Sequence, residues 1–189
     1  GDVYKRQTWY HLAVTYDRTN IKLYVNGELE ASEGNTQYPS HLNIQQPLYI
    51  GSNIGNDGFV GHIFDFRYYE TVLPINEIYN IYTGIHNNNS IIIYPNYHLA
   101  LNREAYMEIP VEAIRNKSHN IDLKHSILFN YNSYADKTGN STVTLHNNPL
   151  VNGNGLNLVR ASSQYVDLGT TNIGGPLTFA VWVNVNDTS

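Results

Sequence analysis

The sequence predicts an all-β chain, an antiparallel β-sandwich carrying one short helix. Three observations point there. Apolar and polar residues alternate in short runs along most of the chain, the signature of strands with one face buried. Turn-forming residues separate those runs at intervals of roughly ten residues. A single segment, Pro74 to Tyr82, changes to a helical period.

Trp9 to Asp17 places Tyr10, Leu12, Val14 and Tyr16 on one face, and Ile21 to Val25 places Ile21, Leu23 and Val25 on one face. Both read as half-buried strands. Asn26-Gly27 follows at once, and because this pair tolerates the positive φ angles of a type I′ turn, a tight hairpin is expected there. Leu48 to Gly51 and Gly61 to Tyr69 supply further strands. In Pro74 to Tyr82, Ile75, Ile78, Tyr79 and Tyr82 share one helical face, with Pro at the start and Gly84 just past the end. Residues 85–123 lose clear pattern and read as a linker with one extended segment, Ile91 to Leu101. Strand grammar resumes with Ile127, Phe129 and Tyr131, the turn Asp136 to Asn140, then Leu156 and Leu158, Tyr165 to Gly169, and Leu177 to Val183.

Composition narrows the function classes. Of 189 residues only 14% are charged while 41% are hydrophobic, which excludes a disordered charged tail. A net charge of −5 with no basic run excludes the electrostatic footprint of a nucleic-acid binder. No apolar run approaches the roughly 18 residues of a membrane helix, so no membrane insertion by helix is expected. Without cysteine there is neither a disulfide framework nor thiolate chemistry. The 16 Tyr and 26 Asn stand against five Lys, so the polarity is mainly amide and hydroxyl, groups suited to neutral polar ligands such as sugars. Coding bias and the β-propensity of Tyr also produce such counts.

Four blocks in order resemble one family. They are Trp9 to Asp17, Leu23-Tyr-Val-Asn-Gly27, Leu48-Tyr-Ile-Gly51, and a closing run of Phe59, Gly61, Ile63, Asp65, Arg67, Tyr69, Leu73, Glu77, Ile78 and Tyr82. Together they resemble the laminin G-like members of the concanavalin A-like lectin/glucanase jelly rolls, relatives of the pentraxins. Residues 124–189 resemble the opening half of the same family, through Phe129, Asp136-Lys-Thr-Gly-Asn140, Tyr165 to Gly169 and Leu177 to Val183. The expected organisation is therefore a non-native leader over 1–7, the C-terminal half of a laminin G-like domain over 8–84, a linker over 85–123, and the N-terminal half of a second such domain over 124–189. Such an order is what a window of a tandem array contains. The two halves are also able to pair with each other as a permuted sandwich.

Catalysis finds no motif. Retaining glycosidases on related folds need paired carboxylates about 5 Å apart, whereas Glu28 and Glu30 flank a hairpin turn and Glu104 and Glu108 lie in the linker. The chain is expected not to be an enzyme. The eight His are scattered without metal-ligand spacing, and His11 and His62 are expected on polar strand faces. The resemblance implies that the turn carrying Asp136 and Asn140 can hold a structural Ca²⁺, helped by Asp65 from the closing strand. Hard cations take such carboxylate and amide oxygens; an Asx-type turn needs no metal. For sugar stacking, the loop aromatics Tyr38 and Phe59 are the candidates, although Phe59 lies within a structural block of the family. Four N-x-S/T sequons, at Asn88, Asn116, Asn140 and Asn186, match chance for so Asn-rich a chain.

The expected function is a non-catalytic carbohydrate- or protein-binding adhesion module of a tandem-repeat extracellular, cell-surface or virion-surface protein. Its partner would be a glycan or a glycosylated surface protein. The alternatives are an accessory lectin-like domain of a glycoside hydrolase or sialidase, and a structural spacer without ligand.

Overall fold

A computed structural model describes residues 8–34, 45–52, 58–86, 90–91, 122–131, 133–159 and 162–186. Apart from Ile91, the extended segment expected at Ile91 to Leu101 lies outside them, as do Tyr38 and most of the linker.

The chain opens with a meander, β1 (Trp9–Tyr16), β2 (Ile21–Val25) and β3 (Glu28–Glu33). At the turn between β2 and β3, Asn26 and Gly27 have φ of 51° and 82°, the doubly positive geometry that the Asn-Gly pair favours. A side chain at Gly27 would also meet the Tyr79 and Tyr82 rings, so glycine here serves both the turn and the close packing of the helix above it. Next come β4 (Gln45–Ile50) and the long β5 (Gly61–Tyr69), then α1 (Ile75–Thr83). Pro74 caps α1 from one residue outside it, with φ −69° and ψ 157°, and its carbonyl accepts the N–H of Glu77 and Ile78. Gly84 ends the helix in the left-handed region at φ 67°.

Two two-residue strands, β6 (Ile85–His86) and β7 (Ser90–Ile91), pair with each other. The remainder comprises β8 (Leu123–Leu128), β9 (Thr144–His146), β10 (Leu150–Asn152), β11 (Gly155–Leu158), β12 (Tyr165–Asn172) and β13 (Leu177–Val185). β9 and β10 are three residues each, too short for alternation to reveal. The alternation expected to run through Ile127, Phe129 and Tyr131 stops at Phe129. Tyr131 is exposed with φ 41°, because the chain folds back through mutual hydrogen bonds between Asn130 and Ser133.

An eight-stranded sheet runs in the order β10-β11-β5-β13-β1-β2-β3, with β8 also on β5. One edge of β5 is shared: Gly61 to Ile63 meet β11, and Asp65 to Tyr69 meet β8. A three-stranded sheet, β4-β12-β9, lies across from it. The main core fills the space between, where Ile63, Phe66, Tyr68, Phe179, Val181 and Val183 from the large sheet meet Ile50, Leu145, Val166 and Leu168 from the small one. Each fully buried side chain of this size stabilises by roughly 1.5–3 kcal/mol.

The large sheet is covered on its other face too. There α1 packs Ile78 and Ile81 on Ala13, Ala180, Tyr24 and Tyr69. The half-buried reading of β1 is therefore corrected: Tyr10, Leu12 and Tyr16 face the sandwich core, and His11, Ala13 and Thr15 are buried more completely on the opposite face. A sequence cannot show by period alone that a second layer sits on the polar face. A bulge in β5 sets Phe64 and Asp65 opposite the single residue Trp182, with Val181 paired to Phe66 and Val183 to Ile63.

Candidate functional site

Alternation on the small sheet decides its solvent face. Leu48, Ile50, Leu145, Val166 and Leu168 pack into the core, so Tyr49, His146, Tyr165 and Asp167 stand on the outside. Tyr165 lies opposite His146, and Asp167 opposite Tyr49. Their rings form a row across three strands. Tyr165 stacks on His146 with centroids 4.3 Å apart and planes 5° off parallel, while Tyr49 meets Tyr165 edge-on at 5.2 Å and 77°. The Asp167 carboxylate closes the row, with Oδ1 accepting the Gly169 N–H at 2.7 Å and Oδ2 3.9 Å from His146 Nε2. The imidazole and carboxylate side chains remain 37% and 30% exposed. Partial desolvation, then the charge of Asp167 and the neighbouring Tyr165, raise the Tyr49 phenol above its ordinary value and keep it a neutral hydroxyl. Ring surface, hydroxyls and an acceptor on one flat face can take the apolar side of a polar ligand and bond its hydroxyls.

The turn at Asp136 is built as a proton-donor cage. Its Oδ1 accepts the N–H of Ser126 at 3.0 Å and of Thr138 at 3.1 Å; its Oδ2 accepts the Ser141 N–H at 3.2 Å, the Ser141 hydroxyl at 3.0 Å and His125 Nδ1 at 2.9 Å. Burial works to raise this carboxyl, but the bonds from His125, Ser126 and Thr138 outweigh it and hold it at about 2. Asn140 turns its amide N–H to the Lys124 carbonyl at 2.8 Å. A calcium ion needs oxygens with free lone pairs directed at one point. Here the carboxylate is surrounded by N–H and O–H groups and the amide acts as donor, so the residues in this arrangement do not fit the ion.

Since Asp136 is ionised, His125 donates to it through Nδ1, and its Nε2 hydrogen-bonds with the Thr171 hydroxyl at 2.6 Å. Carboxylate, imidazole and hydroxyl in series are the order of an activated nucleophile. The Thr171 side chain is buried between the sheets, however, and the chain of bonds ties β8 to β12. The imidazole also stacks on Tyr68 at 5.9 Å, and the Tyr68 hydroxyl donates to the Asn172 carbonyl at 2.7 Å.

Asp65 does not meet Asp136. It shares the helix-side face of the large sheet with Arg67, whose Nη2 and Nε donate to its Oδ2 at 2.8 and 3.2 Å. His125 and Asp136 instead lie with Tyr68 on the core side, so the sheet separates the two carboxylates. His11 departs from its expected polar position: it is fully buried, 5.5 Å from Trp182 and 6.0 Å from Tyr82, with neither ring nitrogen hydrogen-bonded. Burial drives its pKa down to about 3, with Asp65 opposing and Arg67 reinforcing the shift. His62 is partly buried and its pKa is also lowered by desolvation. Phe59 packs against the main core, and its N–H donates to the Gly51 carbonyl. Glu28 and Glu30 are exposed on β3. Among the described residues no three His, Asp or Glu side chains gather as a metal cluster. None of the helices described is long and apolar enough to cross a membrane.

The aromatic row escaped sequence reasoning although its signal was present. Tyr49 alternates with Leu48 and Ile50, and Tyr165 and Asp167 alternate with Val166 and Leu168, so each was legible as outward-facing. Which strands are neighbours was not.

Residues 2–79 match the laminin G family model described as the concanavalin A-like lectin/glucanases superfamily. The match covers the meander, β4, β5 and most of α1, and it begins within the residues set aside as a leader. Comparison with curated proteins and with solved structures gave no match. The family and the antiparallel sandwich agree, and together they support a lectin-like or binding module in general.

Proposed function

We propose, from the laminin G-like identity of residues 2–79, that this chain is a non-catalytic module binding neutral glycans or glycosylated surface proteins. The carrying observation is the row Tyr49–Tyr165–His146 with Asp167 on the solvent face of the small sheet. Sugars bury an apolar ring face on aromatic side chains while their hydroxyls bond phenols and carboxylates. A chain with 26 Asn and 14% charged residues adds a surface of amide and hydroxyl groups to that platform. The resemblance of residues 124–189 to an opening half, after a closing half over 8–84, supports a tandem-repeat adhesion protein of a cell or particle surface. Single-module binding there would be weak and compounded by repetition.

A glycan array probed with the full chain, with hits measured by calorimetry, tests this reading. Tyr165→Ala and Tyr49→Ala are expected to weaken any hit about tenfold or more, given roughly 1–3 kcal/mol for a stacked aromatic. A blank array across neutral and acidic glycans leaves the spacer reading, and binding unaffected by both substitutions removes this face as the site.

A further inference from the structure

The ladders divide unequally between the two parts of the chain. Among the described residues, β5 pairs with β8, β11 and β13, and β4 pairs with β12. Among the described residues of 8–86, neither β4 nor β5 has a ladder partner. β13 lies between β1 and β5, forming eight residue pairs with β1 from Trp9↔Asn184 to Tyr16↔Leu177 and antiparallel pairs with β5 from Thr178↔Tyr69 to Val185↔Gly61. Residues 8–86 thus present a slot one strand wide in the middle of the large sheet.

The fit of β13 to that slot is specific. Leu177, Phe179, Val181 and Val183 enter the main core. On the other face Ala180 opposes Ala13 in the layer beneath α1, and Trp182 opposes His11 and packs with Tyr82 at 5.8 Å. Thr178 keys the register: its hydroxyl donates to the Thr71 carbonyl at 2.7 Å and accepts the Leu73 N–H at 2.9 Å. Strand addition of this kind draws affinity from backbone bonds and specificity from alternate side chains.

We propose that this slot is an interaction surface for a second copy of the chain, which fills it with its own β13 and carries β8 and β12 along. Every contact made within one chain is available between two, and only the connection differs. Residues 92–122 separate β7 from β8, and about thirty residues can reach about 100 Å, so chain length does not confine the pairing to one chain. The intramolecular form is favoured by an effective concentration of the order of mM. Exchange therefore dominates only when chains fold together at high concentration or in a tandem array, where neighbouring repeats hold each other's strands close. Reciprocal exchange gives a closed dimer, and one-way exchange gives an open chain of modules.

Co-refolding of the full chain tests the exchange. Affinity-tagged and untagged chains are unfolded in guanidinium, mixed, and refolded at a few µM and at several hundred µM. Light scattering on a sizing column is expected to give monomer at the low concentration. At the high concentration it should give a dimer fraction that pulls down untagged chain and persists on dilution. A second measurement uses two full-length variants, Ala180→Glu, which spoils the donated strand, and Ala13→Glu, which spoils the slot. Each alone is expected to stay unfolded, and the mixture to regain the blue-shifted fluorescence of buried tryptophan through one good slot and one good donor. Monomer at every concentration together with no gain on mixing would overturn the proposal, as would either variant folding by itself.

Discussion

Acidification should unfold this protein through one imidazole. His11 is fully buried between the large sheet and α1, and its pKa falls from 6.5 to about 3. Below pH 6.5 the unfolded chain takes up a proton that the native state refuses until about pH 3, so stability is fully present above 6.5 and is lost as pH falls. At about 1.4 kcal/mol per pH unit, His11 removes about 2 kcal/mol between neutrality and pH 5, and about 4 kcal/mol by pH 3. Asp136, held at about 2 from an ordinary 3.8, adds its own loss only below pH 3.8. The partly buried His62 acts in the same direction as His11 and is common to parent and variant. Asp65 and Arg67, the charged groups acting on His11, form an ion pair with each other at 2.8 Å and are common to parent and variant. The perturbation is His11→Leu, similar in volume and without a titrating group. Urea unfolding followed by fluorescence of Trp9 and Trp182, at constant ionic strength from pH 7.5 to 4.5, gives the comparison. The parent should lose about 2 kcal/mol more than the variant by pH 5. Parallel curves for the two proteins would refute the buried, neutral imidazole.

Thermal unfolding in EDTA and in millimolar Ca²⁺ should give the same midpoint, because the Asp136 carboxylate is already occupied by donors from His125, Ser126, Thr138 and Ser141; a clear rise with calcium would show that the cage opens to admit the ion. Asp136→Asn should lower stability by about 3 kcal/mol in urea titrations, since the new amide turns a donor toward those N–H groups. Arg67→Met should be worse than the pair of changes Arg67→Met and Asp65→Leu. The single change strands a buried carboxylate, about 3–5 kcal/mol, and the double change removes both charges; equal destabilisation by single and double variants would show that the pair matters through its other contacts.

Much of the fold was legible because strands announce themselves locally. The Asn26-Gly27 turn followed from backbone preference, and α1 from a change of period between Pro74 and Gly84. The family match over residues 2–79 spans the region where the resembling blocks could be read in order. The site was less legible for a physical reason. Tyr49, His146 and Tyr165 lie on three strands distant in sequence, and only hydrogen-bonded register makes them one surface. Asp136 was found as a residue, but the donors that define its chemistry come from Ser126, His125 and Ser141, which a turn motif does not specify.

By itself the sequence determined the class of fold, the strand faces nearest the turns, the family resemblance of its first part, and the absence of thiol chemistry. Those follow from period, composition and local backbone preference, properties of neighbouring residues. Tertiary structure decided what lies across from what. It placed β13 between β1 and β5, buried His11 under α1 where a polar face was expected, and set Asp65 and Asp136 on opposite sides of one sheet. Whether a strand's polar face meets water or a second layer depends on long-range packing, and no window of adjacent residues contains that information.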